Sequence, residues 1–124
     1  MAIRDLLVMK EDAFLGKGVD EEYIRAAEKE LNLTFADDYR EYLSTVGLVM
    51  FDGHELTGIG KAERTNVVFV TKQMKMLKEG IPADWYVLEN ENMDGAVIWQ
   101  NSAGEVFFNK KKEYRSLKDF IIDA

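Results

Sequence analysis

The apolar residues of this 124-residue chain change period near Gly47, and that switch restricts it to helices packed on a sheet. Before the switch the spacing is helical. Ile24, Ala27 and Leu31 fall at i, i+3 and i+7, and Tyr39, Tyr42, Leu43 and Val46 repeat the stripe. Asp20 stands where an N-cap belongs, with Glu21 and Glu22 in a first turn whose dipole favours negative charge. Gly47 is placed to stop the second helix in a left-handed conformation. After the switch the apolar runs are short. Residues 48–51 and 54–59 flank Asp52-Gly53, a dipeptide suited to a type I′ hairpin turn. Residues 86–89, 96–100 and 105–109 read as three further strands, joined by turns at Asp94-Gly95 and Ala103-Gly104.

Two more helices complete the pattern. Asn66 is positioned to cap one that carries Val67, Val70, Met74 and Leu77. Ser116 with Asp119 forms a capping box ahead of Leu117, Phe120 and Ile121. Residues 3–14 are expected to form a first helix or a loosely docked arm, ended by Gly16 and Gly18. Lys110, Lys111 and Lys112 read as a basic cluster that follows the last strand. No linker or repeat divides the chain, so the expectation is one layered α+β domain over residues 1–124.

Charge narrows the partners. The formal net charge is −7, and residues 1–63 carry all of it, with 14 Asp/Glu against 7 Lys/Arg. Residues 64–124 hold 9 of each sign. Such a field repels phosphate backbones, so nucleic acid and anionic membranes are not expected partners, whereas encounter with a basic protein is favoured. There is no cysteine, which removes disulfides, thiol nucleophiles and thiolate metal sites. No apolar run reaches the ~18 residues of a membrane span, and residues 1–10 lack a signal-peptide core. A cytoplasmic location is the default expectation.

The run Ile24-x-x-Ala27-Glu28-x-x-Leu31-x-Leu33-x-Phe35-x-x-Asp38-Tyr39-x-x-Tyr42-Leu43 resembles the start of the SMI1/KNR4 superfamily, also called SUKH. The similarity continues through Gly53-x-Glu55-Leu56-x-Gly58-Ile59, Asn66-Val67-Val68, Tyr86-Val87-Leu88-Glu89 and Ser116-Leu117-x-x-Phe120-Ile121, covering roughly residues 20–122. Ala36 departs from the pattern, which has proline there. Residues 1–19, as a helix or arm, lie outside the recognisable motifs. The resemblance implies a mixed, mostly antiparallel sheet with helices packed against it. It also implies a protein-binding role: many bacterial members resemble immunity proteins that neutralise a cognate toxin, often a nuclease, and others are regulatory or scaffolding modules for an endogenous partner.

No constellation for catalysis emerges. His54 is the single histidine, and its sequence neighbours Asp52 and Glu55 flank it without a serine in a nucleophile elbow. Asn90-x-Asn92-x-Asp94-Gly95 superficially resembles an EF-hand opening, but the closing glutamate position is Asn101 and the flanks read as strands. Gly58-Ile59-Gly60-Lys61 lacks both the spacing and the hydroxyl of a phosphate loop, and tight turns account for its glycines. No cofactor or metal is called for, and the chain is not expected to be an enzyme. The expected partner is a basic protein toxin. Its contact surface is assigned to Asp52, Glu55, Glu91 and Asp94, with Trp99 and Phe108 as aromatic anchors. Phe107 and Phe108 are consecutive in a strand, so they cannot both face one core.

Overall fold

Local chemistry sets most of the helix boundaries in the computed structural model, which describes residues 1–91 and 96–124. Helix α1 (Ile3–Val8) opens the chain, followed by strand β1 (Phe14–Leu15). Helix α2 (Glu21–Leu31) begins after Asp20, whose side chain makes no capping bond, and ends at Asn32 in the left-handed region, φ 53°. Helix α3 (Asp37–Thr45) is closed by Gly47, φ 73°, whose N–H donates to the Tyr42 carbonyl. Strands β2 (Val49–Phe51) and β3 (His54–Glu55) form a hairpin through Asp52 (φ 47°) and Gly53 (φ 79°). Two positive φ values in a two-residue loop define the expected type I′ turn.

A 3-10 turn (Glu63–Thr65) leads into α4 (Val67–Leu77), where the Asn66 side chain accepts from the N–H groups of Val68 and Phe69. Strands β4 (Tyr86–Glu91), β5 (Ala96–Gln100), β6 (Val106–Phe108) and β7 (Lys111–Tyr114) follow. The final helix, α5 (Leu117–Asp123), is capped by Ser116, whose hydroxyl accepts from the Asp119 N–H.

The chain is an α+β domain in which the expected single sheet is divided into two, β1-β2-β3 and β4-β5-β6-β7, all neighbours antiparallel. Among the described residues, parallel pairing is limited to a bridge between Gly58 and Asn66. The two sheets are stitched where β3 runs on into Leu56 and Thr57. The Thr57 N–H donates to the Leu88 carbonyl (2.7 Å) and its hydroxyl to the Val87 carbonyl (2.7 Å), which satisfies the edge of β4. The main core lies between the sheets and α1, α2, α3 and α5, with Ile24, Tyr39, Leu43, Phe51, Leu88, Ile98 and Phe120 fully or almost fully buried.

A buried polar chain ties α3 to the larger sheet. The Tyr86 hydroxyl accepts from the Ala36 N–H (2.9 Å) and donates to Gln100 Oε1 (2.6 Å). Gln100 Nε2 donates to Asp38 Oδ1 and to the Gly104 carbonyl, both at 3.0 Å. Asp38 Oδ2 then accepts from the Leu117 N–H at the start of α5 (2.7 Å). Each polar group in this chain has a partner, which is what burial demands. The alanine at position 36 has an N–H in use, and a proline would lack it.

Four expectations are corrected here. The first segment takes the helical alternative and not the loose arm: Ile3 and Leu7 are fully buried, and the Ile3 N–H donates to Glu41 Oε2 (2.7 Å). Its helix stops at Val8, and residues 14–15 form a strand. The lysine cluster does not merely follow a strand; Lys111 and Lys112 belong to β7, a charged edge strand of the kind that resists pairing with other chains. Trp99 is 1% exposed and is no surface anchor. It packs with Val70, Met74, Trp85, Val87 and Val97 beneath α4, because helices cover both faces of the larger sheet. Phe107 does face opposite to Phe108, but both faces are occupied. Phe107 stacks on Trp85 (4.1 Å), and half-buried Phe108 packs on Phe120 and Tyr114 in the main core.

Candidate protein-binding surface

The smaller sheet has one covered face and one open face. Strand alternation turns Leu15, Val49 and Phe51 inward to the main core. The opposite parity turns Phe14 and Met50 outward, directly across from each other in the β1–β2 register, and they are 59% and 45% exposed. Leu48, two residues before Met50, shares this face and is also exposed. The Gly16 N–H donates to the Leu48 carbonyl (2.7 Å), extending the pairing beyond β1. An aromatic and a thioether side by side in water are an uncompensated apolar surface of the kind that anchors protein contacts.

Acidic residues edge this surface at one end. Asp12 lies two residues before Phe14 and Asp52 two residues after Met50, so both stand at the same end of the Phe14–Met50 pair, in turns outside the strands. Both are exposed, both hold left-handed backbone (φ 57° and 47°), and neither forms an ion pair among the described residues. Glu55 pairs across from Met50 on the same face, where its carboxylate is bound by the Arg64 guanidinium. That contact holds the arginine's proton more firmly than usual. Of the expected contact residues, the structure therefore leaves Asp52 free, neutralises Glu55 and places Glu91 at the end of β4. Asp94 lies outside the described residues. Trp99 and Phe108 are internal.

Glu89 is likewise internal. Its Oε1 is 2.8 Å from His54 Nδ1, and its Oε2 accepts from the Glu55 N–H at 2.8 Å. The His54 ring also packs against Phe51 and Phe120. The carboxylate that orients the histidine thus comes from β4, not from Asp52 or Glu55, and the pair clamps β3 to β4. No helix among the described residues is long and apolar enough to cross a membrane.

At its other end the open face leads into a cleft of about 300 Å³ lined by Gly16, Lys17, Leu48, Gly58 and Lys61, among others. Gly58 sits here for a reason other than a tight turn: its φ is not positive, and a Cβ there would collide with the Gly47 carbonyl. Glycine lets the two backbones pass. Phe14, Met50 and Asp12 were not among the expected contact residues. All four residues from Leu48 to Phe51 are apolar, so the alternation that marks an open face is absent from the sequence.

A family model described as SMI1-KNR4 cell-wall matches residues 3–124. The chain belongs to the SMI1/KNR4 (SUKH) superfamily, and the match takes in α1 and β1, which carry no motif recognisable by eye. No curated protein is matched by the chain.

Proposed function

We propose that this domain is an immunity protein that works by binding, neutralising a cognate toxin through the open face of the β1-β2-β3 sheet. The observation that carries the reading is the exposed Phe14–Met50 pair beside two acids, Asp12 and Asp52, that have no internal counter-charge. Apolar anchors supply affinity at the centre of such a contact, and charges around it set the encounter rate. A toxin that holds nucleic acid must be cationic, so an acidic rim steers towards it. Family membership supports the protein-binding role.

The reading predicts a toxin encoded beside this gene, and the test is co-expression with it, where the wild-type chain is expected to restore growth. Asp12→Asn with Asp52→Asn removes both charges while keeping residues that tolerate left-handed backbone, so stability should be unchanged. Association with the purified toxin is expected to slow about tenfold at low ionic strength, with the difference shrinking as salt rises. Failure of the wild-type chain to protect, or to bind the toxin, removes the reading.

A further inference from the structure

The open face carries charge at both ends, and the signs differ. Asp12 precedes β1 and Asp52 follows β2 at one end; Gly16 and Lys17 follow β1, and Gly47 and Leu48 precede β2, at the other. Lys17 and Lys61 line one cleft at the far end, and neither is in an ion pair among the described residues. Asp12 and Lys17 lie on either side of the two-residue strand β1, five positions apart in the chain. In a chain of net charge −7, two lysines that line one cleft without an ion pair among the described residues make this face distinct from a uniformly acidic one.

We propose that this face is a polarised docking strip for a protein segment that carries charges of opposite sign at its two ends. The segment sets a Lys or Arg at the Asp12–Asp52 end, lays apolar side chains over Phe14 and Met50, and sets a carboxylate between Lys17 and Lys61. Charge complementarity at both ends fixes its direction on the sheet, because reversing the segment brings like charges together at each end. The inference deepens the immunity reading by specifying the chemistry of the partner's contact segment.

It is tested without the toxin, by panning a displayed library of random peptides of about 12 residues against the full chain at low ionic strength, a length that spans the strip. Enriched peptides are expected to be basic at one end, apolar in the middle and acidic at the other. Phe14→Ser should remove the enrichment. Lys17→Gln with Lys61→Gln should remove the acidic requirement while keeping the basic one, and weaken a fixed enriched peptide about tenfold. No enrichment, or enrichment indifferent to Phe14→Ser, overturns the strip. Uniformly basic peptides that still need Phe14 overturn its polarity and leave the immunity reading standing. Polar-ended peptides selected by a chain that fails to protect against the toxin support the strip and remove the immunity reading.

Discussion

Asp38→Ala is expected to destabilise the domain by about 3 kcal/mol, read by urea denaturation, because two buried donors lose their acceptor. The Asp38 carboxylate takes the Leu117 N–H on one oxygen and Gln100 Nε2 on the other, so it joins α3, β5 and the start of α5. Asp38→Asn is not a rescue. Its oxygen can serve one of these donors, but its NH₂ then confronts the other. Burial holds the Asp38 carboxyl above its ordinary range, against the hydrogen bonds from Gln100 and Leu117 that pull it down. A carboxyl that binds its proton more tightly when folded loses stability as pH rises from its unfolded value to the raised one, and regains it as pH falls. The Asn variant lacks that contribution. Its stability relative to wild type should therefore improve as pH rises through this window. A wild-type-minus-variant difference that is flat with pH contradicts the assignment.

Gly18→Ala is expected to cost about as much, roughly 3 kcal/mol, through backbone collision. A Cβ at Gly18 would enter the Ser44 carbonyl group at the end of α3, and backbone cannot swing aside as a flexible side chain can. Gly53→Ala is the control. Gly53 has φ 79° and open space around it, so that variant meets only conformational strain, about 1 kcal/mol. Equal losses at the two positions would show that collision is not the cause at Gly18. Thermal or urea unfolding of the pair decides it.

The parts of this fold that sequence reading anticipates are those fixed by neighbouring residues. Asn66 and Ser116 cap their helices, Gly47 turns left-handed, and Asp52-Gly53 makes its turn, each from chemistry within five residues. What escapes is set by distant partners. Strand β1 is two residues long and exists because Phe14 meets Met50 across the sheet. Strand β7 reads Lys-Lys-Glu-Tyr, with a strand's apolar side reduced to Tyr114, because its charges protect an edge.

Trp99 shows the same limit from the other direction. An anchor role assumes a sheet with one wet face, yet Val97, Ile98 and Trp99 are apolar without a break, the mark of a strand covered on both sides. The acids divide in a similar way. Glu28 accepts from the Phe35 N–H and binds Arg40, and Glu89 clamps β3, so these carboxylates hold the fold together. Asp12 and Asp52 are left exposed, and only the pairing of Phe14 with Met50 reveals that both lie at the same end of the smaller sheet.

Affinity for the purified toxin, measured by calorimetry for wild type and for Phe14→Ser with Met50→Ser, bears most directly on the idea that an apolar sheet face does the work. Loss of this half-exposed cross-strand pair should cost the fold no more than about 1 kcal/mol, while binding should weaken at least about 100-fold, the loss of 2.7 kcal/mol from two anchors. Undiminished affinity in the double variant would place the contact elsewhere on the molecule and contradict the account.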